Sequence, residues 1–230
     1  MGLFTALPSL VLDLVVGQCC AGCGQPGRTF CDGCRTAIRN TPAARDAAFL
    51  DAGPLARAVR AGKFGWWRGA APELARSVVG RLPVAWRGGG EPGTTVVTWI
   101  PADPTRRAAR GTHLPETLAR QVARAVGCDC VELLAPARPR LPQRGLDRAA
   151  RRRNVERAFR ACSRTAELAP GCRILLLDDV RTTGATLASA AAVLRSRGHV
   201  VCEWAVIGVE NHAPSVDFVL THRARAADAQ

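Results

Sequence analysis

The residues with the clearest capacity for chemistry form one nine-residue run, in which two acids lead into a glycine and small hydroxylated residues. This run, called the ligand loop below, is Asp178, Asp179, Val180, Arg181, Thr182, Thr183, Gly184, Ala185 and Thr186. Such a loop can direct backbone N–H groups and hydroxyls at a phosphate, helped by the N-terminus of a following helix. The acids would repel a phosphate, so ribose hydroxyls or a Mg²⁺ ion that shares the ligand are their natural partners. The alternative is ordinary helix capping, but two acids followed by T-T-G-A-T favour a ligand site.

A strand and a helix must position this loop. Residues 173–179 form a continuous apolar run that ends in the two acids, and residues 184–197 fit a helix that stops at Gly198. Strand or helix patterns recur in four other segments, namely 95–100, 115–126, 131–134 and 199–209. Apolar strands that alternate with helices indicate a parallel sheet covered on both faces, which defines an α/β fold class. Ligands of such sheets bind at the carboxyl ends of the strands.

Two C-x-x-C pairs near the N-terminus have the spacing of metal ligands. Cys20 and Cys23 form the first pair, and Cys31 and Cys34 form the second after seven residues. Four thiolates suit a tetrahedral Zn²⁺ and leave no open position for chemistry, so the predicted zinc is structural. A redox pair or a disulfide cluster would be the alternatives. Cys19 could replace Cys20 as the first ligand.

The composition indicates which ligands the protein attracts and where in the cell we expect it. The chain of 230 residues is 47% hydrophobic and carries a net charge of +13, which attracts phosphates on a small metabolite or on nucleic acid. Residues 1–17 are apolar but lack a basic n-region and are too short to span a bilayer. We therefore expect a short amphipathic helix there, no membrane span and a cytoplasmic, reducing location.

Composition also suggests three domains. A glycine-rich stretch at residues 87–93 is typical of a linker or long turn. We predict an N-terminal helix and zinc knuckle over residues 1–40, a helical segment over 41–92 and the α/β domain over 93–230.

Two further segments are candidate ligand contacts. Pro101 and Ala102 follow the predicted strand 95–100 and could hold a pyrophosphate through their backbone. Residues 138–153, called the basic segment, contain seven arginines. This segment could be a mobile flap over a pyrophosphate, a track for single-stranded DNA or a solvated surface.

The ligand loop resembles the phosphoribosyl pyrophosphate motif of type I phosphoribosyltransferases. With the cysteine pairs, the Lys63-aromatic-glycine element and the basic segment in the same order, nearly the whole chain resembles the ComF/GntX-like family, named for a protein of bacterial competence. The resemblance implies a type I phosphoribosyltransferase-like domain after a four-cysteine zinc knuckle. It also implies ribose contacts for Asp178 and Asp179 and contacts from residues 182–186 to the 5-phosphate.

Other family positions match in part. Gln143, Arg144 and Asn154 match the family, and together with Arg153 they are the predicted residues of the flap. The chain departs from the family at residues 112–114, where Thr-His-Leu replaces the usual Phe-Asn-Gln. Any role of those amides is therefore absent here.

Two functions of different classes follow as expectations. The first is an enzyme that uses Mg²⁺ and phosphoribosyl pyrophosphate, with Asp178 and Asp179 at the catalytic centre and an unidentified amine or base as acceptor. The second is a non-catalytic factor that binds single-stranded DNA and acts with a DNA-uptake helicase. A sensor of phosphoribosyl pyrophosphate is a third reading of the same site.

Overall fold

The computed structural model describes residues 19–61, 71–91, 93–102, 113–137 and 158–209. Within these residues the helices are α1 (Asp32–Asn40), α2 (Gly53–Ala61), α3 (Ala71–Val79), α4 (Leu114–Val126) and α5 (Ala185–Arg195). The strands are β1 (Ala47–Leu50), β2 (Thr95–Trp99), β3 (Asp129–Cys130), β4 (Leu134–Pro136), β5 (Phe159–Ala161), β6 (Arg173–Arg181) and β7 (Val200–Gly208). Short 3-10 turns cover Val84–Trp86 and Ser163–Glu167.

Five of these strands form one parallel sheet in the order β1-β7-β6-β2-β3. β4 and β5 pair antiparallel in a separate ladder. The nine-residue strands β6 and β7 lie in the interior of the sheet, where apolar side chains on both faces suit a buried parallel strand. The arrangement confirms the predicted α/β fold class, with the cysteines ahead of the sheet.

Helices cover both faces of the sheet, and β6 shows why. Successive side chains of a strand point to opposite faces, and β6 places alternate leucines and isoleucine in two separate cores. One core joins β6 to α2, α3 and α4 through Leu55, Leu74, Leu118, Leu175 and Leu177. The other joins it to α5 and β4 through Leu134, Ile174, Leu176, Leu187 and Leu194. Burial of each such leucine contributes about 1.5–3 kcal/mol, so the continuous apolar run fixes both layers.

Helix α4 shows how local signals and packing agree. Its buried residues recur three or four positions apart, which gives one apolar stripe against the sheet. Pro115 lies in the first turn, where its missing N–H costs nothing. Gly127 ends the helix in the left-handed conformation with φ of 83°, and its N–H donates to the Ala123 carbonyl at 2.8 Å. The helix predicted over 115–126 is therefore confirmed.

Two strands differ from the sequence interpretation. β1 lies in a stretch whose pattern looked helical, and it joins the sheet because Ala47, Ala48 and Phe49 are buried beside β7. The strand predicted at 131–134 is wrong in its bounds, because the strands lie at Asp129–Cys130 and Leu134–Pro136. Pairing with β2 stops at Cys130, and the Leu133 N–H turns to the Thr98 hydroxyl at 3.3 Å.

The N-terminal helix predicted over residues 1–17 lies outside the described residues. In the part of the chain that the structure does describe, none of the helices has the length and apolar character needed to cross a bilayer.

Candidate functional site

The two acids of the ligand loop lie inside β6, near its carboxyl end. The strand continues past them to Arg181, two residues beyond the predicted end, and Arg181 pairs with Gly208 of β7. Both carboxylates are half-buried, and the Asp179 N–H donates to Asp178 Oδ1 at 2.8 Å. This bond holds the Asp178 side chain beside its own backbone at the edge of the sheet.

The loop then turns directly into α5. Thr182 and Thr183 are exposed, and Gly184 takes the left-handed conformation (φ 76°, ψ −4°) at the helix N-cap. The Ala185 N–H meets the Thr183 hydroxyl only at a long 3.4 Å. The first turn of α5 contains no acid. Its N–H groups and the positive end of the helix dipole are therefore directed at the loop without a negative side chain of the helix to compensate them.

The end of β2 lies next to the acids. Trp99 pairs with Leu177, and the Ile100 N–H donates to the Leu177 carbonyl at 2.9 Å. Pro101 is buried and Ala102 half-buried immediately after this point. The structure thus brings together the two segments predicted to contact one ligand, residues 101–102 and 178–186.

Asp46 is a neighbour of the loop that the sequence analysis missed. Its Oδ2 lies 3.7 Å from Nη2 of Arg181. Asp46 precedes β1, far from the loop in sequence, and no motif surrounds it. Only its position beside β7 could have identified it.

Gln143, Arg144, Arg153 and Asn154 lie outside the described residues, but the flanks of the basic segment are described. The Ala137 N–H donates to the Ala158 carbonyl at 2.9 Å, which brings the two flanks together. β4 and β5 continue this pairing and share a core with Ile100 and Leu187, residues that adjoin the two candidate ligand segments. The described flanks of the basic segment therefore meet each other and share a core with residues next to the candidate site.

The four predicted zinc ligands converge at the N-terminus. The sulfur atoms of Cys20, Cys23, Cys31 and Cys34 all lie within 4.8 Å of one another, and those of Cys23 and Cys31 are 3.7 Å apart. A tetrahedral zinc with Zn–S bonds of about 2.3 Å needs sulfurs about 3.8 Å apart. The donor set fits zinc, and it includes Cys20 but not Cys19.

Backbone hydrogen bonds in the turns of this cluster change the pKa of its thiols. Burial would raise the pKa of Cys20, but hydrogen bonds from the backbone around Cys31, Cys23 and Gly22 outweigh it and lower that pKa to about 6. Burial and the neighbouring thiols raise the pKa of Cys34. Zinc binds thiolates and displaces their protons, so Cys20, with its lowered pKa, would be the most easily deprotonated ligand if the four cysteines held the metal.

Comparisons with known proteins give structural neighbours only. No family model matches the chain, and no curated protein matches it. One solved structure similar to it is titled the allosteric regulatory enzyme of purine biosynthesis, at 19% identity, a TM-score of 0.36 and coverage of 60% of this chain. The chain spans only 25% of that protein.

Two further neighbours are adenine phosphoribosyltransferases. One has 16% identity, a TM-score of 0.38 and coverage of 67% of this chain and 76% of its own. The other, from Trypanosoma brucei, is in complex with AMP, pyrophosphate and ribose-5-phosphate; it has 11% identity, a TM-score of 0.37 and coverage of 68% and 77%.

Proposed function

We propose that this chain binds phosphoribosyl pyrophosphate together with Mg²⁺ and transfers the phosphoribosyl group to an amine or base. One observation carries the proposal: two half-buried acids at the carboxyl edge of the sheet lead through Gly184 into the N-terminus of α5, with the end of β2 alongside. A sugar that bears both hydroxyls and a phosphate matches this pairing of carboxylates with an anion-binding helix end.

The roles of the residues follow from their chemistry. Asp178 and Asp179 accept hydrogen bonds from the ribose 2- and 3-hydroxyls. The backbone N–H groups of residues 183–186 and the threonine hydroxyls donate to the 5-phosphate. Ala102 offers an N–H to the pyrophosphate, whereas Pro101 has none and only shapes the loop. Gln143, Arg144, Arg153 and Asn154 belong to the proposal as a basic flap that neutralises the pyrophosphate.

The reaction is a substitution at the anomeric carbon. The bond from that carbon to the pyrophosphate oxygen breaks, the acceptor nitrogen forms the new bond, and the acceptor's proton leaves to solvent. Mg²⁺ bound with the ligand supplies charge neutralisation for the departing pyrophosphate. Positioning and stabilisation of the developing positive charge by the two carboxylates are the protein's contribution. Zinc on the four cysteines has a structural role in this proposal.

Calorimetric titration of phosphoribosyl pyrophosphate with Mg²⁺ tests the proposal directly. We expect micromolar binding by the zinc-loaded chain and a loss of at least about 100-fold in the Asp178→Asn/Asp179→Asn double variant, since each lost charged hydrogen bond costs about 1.5–3 kcal/mol. Glu91→Gln/Glu167→Gln removes the same charge from two exposed positions outside the loop and should leave binding unchanged. Failure of the folded parent chain to bind would refute the proposal, and binding without turnover over a panel of amines and bases would refute the transfer step.

The charge of the chain favours a second candidate, binding of single-stranded DNA in competence with a helicase of DNA uptake. The net charge is +13, the basic segment contains seven arginines, and its described flanks share a core with Ile100 and Leu187. Anisotropy of a labelled oligonucleotide should then fall steeply with salt, because bound phosphates release counterions. Competition by phosphoribosyl pyrophosphate would place both ligands at one site. DNA binding that survives the Asp178→Asn/Asp179→Asn change would assign it to the arginine surface.

A further inference from the structure

Arg181 is folded back over the ligand loop. A Cβ atom added at Gly184 would lie 3.0 Å from Nε and 3.2 Å from Nη2 of Arg181. The Arg181 side chain is only 19% exposed, although its neighbours Thr182 and Thr183 are exposed. The guanidinium therefore lies against the N-cap of α5 and does not extend into solvent.

The dipole of α5 acts against a cation at this position. The N-terminus of a helix carries about half a positive charge, and a cation beside it is repelled. The first turn of α5 contributes no acid. Two positive groups thus converge at one point of the loop, where a phosphate would satisfy both.

Asp46 forms an ion pair with this guanidinium. Its carboxylate is 3.7 Å from the guanidinium, and its side chain is 56% exposed. A contact so long and so solvated is a weak ion pair. A phosphate dianion can accept two short hydrogen bonds from one arginine and would replace it.

The backbone holds Asp46 in this place. Asp46 is the one non-glycine residue with positive φ among those the structure describes, at 50°. Its carbonyl accepts a hydrogen bond from the Ala205 N–H of β7 at 3.0 Å. A left-handed non-glycine residue costs about 1–3 kcal/mol and persists only where its surroundings enforce it, so the sheet fixes the origin of this carboxylate.

We infer that Asp46 is a built-in counter-ion, which holds Arg181 over the ligand loop and competes with the phosphate of the ligand for that guanidinium. The inference rests on the proposed function for its biological ligand, but it applies to any phosphate that binds at the loop. Asp46 lowers the affinity of the loop for anions, and Arg181 transmits the effect.

Titration of inorganic phosphate and of ribose 5-phosphate into the full, zinc-loaded chain tests this. The variants are Asp46→Asn, Arg181→Gln and the double variant. Asparagine keeps the shape of aspartate and tolerates the left-handed conformation. We expect Asp46→Asn to tighten phosphate binding about three- to tenfold at low salt, with a smaller gain at high salt because screening weakens the Asp46–Arg181 attraction that the variant removes. Glu91→Gln, which neutralises an acid before the amino end of β2, is the control and should change nothing.

The double variant distinguishes competition for Arg181 from a general effect of the lost charge. In the Arg181→Gln background, the gain from Asp46→Asn should disappear. Weaker binding by Asp46→Asn, an equal gain without Arg181, or no phosphate binding by any of the proteins would each overturn the inference. A parallel titration with phosphoribosyl pyrophosphate keeps the two proposals distinct. Phosphate binding that responds to Asp46 with no binding of phosphoribosyl pyrophosphate leaves the inference standing and removes the proposed function.

Discussion

Arg35 of α1 and Glu73 of α3 form a bidentate ion pair that fastens the cysteine cluster to the helical layer of the sheet. Arg35 Nε lies 2.6 Å from Glu73 Oε1, and Nη2 lies 2.9 Å from Oε2. A second tie comes from Arg57, whose Nε donates to the Gly22 carbonyl at 2.7 Å. The first contact holds the helix that carries Cys34, and the second holds the turn between Cys20 and Cys23, so the cysteine cluster packs against α2 and α3.

Glu73→Gln should loosen this attachment. The variant leaves one neutral acceptor where two charged hydrogen bonds were made. We expect zinc to pass to a chelator about three- to tenfold faster, as judged from the modest energies of partly exposed ion pairs. Release is followed with a metallochromic dye. Glu167→Gln removes an exposed acid elsewhere, and equal rates in the two variants would show that the Arg35 pair does not protect the site.

Zinc content should distinguish Cys19 from Cys20. Only the Cys20 sulfur belongs to the four that lie within 4.8 Å of one another. We expect Cys19→Ser to retain about one zinc per chain and Cys20→Ser to lose most of it, because a structural site needs four ligands. Metal analysis after gel filtration measures both. Retention by Cys20→Ser and loss by Cys19→Ser would reverse the assignment.

The sequence predicts those parts of the site that lie close together along the chain. The spacing of Cys20, Cys23, Cys31 and Cys34 and the run from Asp178 to Thr186 are local patterns with local chemistry. Asp46 and β1 could not be predicted in this way, because no local pattern marks them. Ala47 and Ala48 have no strand preference of their own, and pairing with β7 decides their conformation. The approach of Asp46 to Arg181 depends on that pairing, so only the three-dimensional structure reveals it.

Gly184→Ala should weaken phosphate binding beyond its effect on stability. The added methyl would lie 3.0 Å from Nε of Arg181, so the guanidinium would have to shift away from the N-cap. The left-handed backbone (φ 76°) also costs about 1–2 kcal/mol for alanine. Gly198→Ala has the same strain at φ 83°, with no atom within 4 Å of the new methyl. Similar melting temperatures with at least about fivefold weaker phosphate binding in Gly184→Ala alone are expected, since the lost contact is charged. Equal binding in both variants would contradict this role of Gly184.

The glycine-rich stretch before β2 is packed most tightly at Gly89. A Cβ at Gly89 would lie 2.4 Å from the Gly127 carbonyl oxygen, while one at Gly88 would meet nothing within 4 Å. We therefore expect Gly89→Ala to reduce the free energy of unfolding by about 1–3 kcal/mol through overpacking. Gly88→Ala should be neutral or stabilising by up to about 1 kcal/mol, since alanine restricts the unfolded chain. Urea denaturation compares the two variants. Equal midpoints would show that the loop relieves the overlap at Gly89 without a loss of stability.

Alkaline pH should destabilise the zinc-loaded fold through its thiols. Burial raises the pKa of Cys202 to about 12 and, with nearby charges, the pKa values of Cys128 and Cys130 to about 11. An unfolded thiol ionises near pH 8.5. Between that pH and the raised pKa values the folded chain retains protons that the unfolded chain has lost, so stability falls as pH rises. The contribution of these three thiols to stability should be constant from pH 7 to 8 and decline from about pH 9 towards 11.

The composition makes this experiment specific to cysteine. The chain contains no tyrosine, and Lys63 is its single lysine, so few other groups titrate in that range. Urea midpoints at each pH measure the decline, and Cys202→Ala should make it shallower because one raised thiol is removed. A decline of unchanged steepness in Cys202→Ala would show that the Cys202 thiol already ionises near its ordinary pKa in the folded chain.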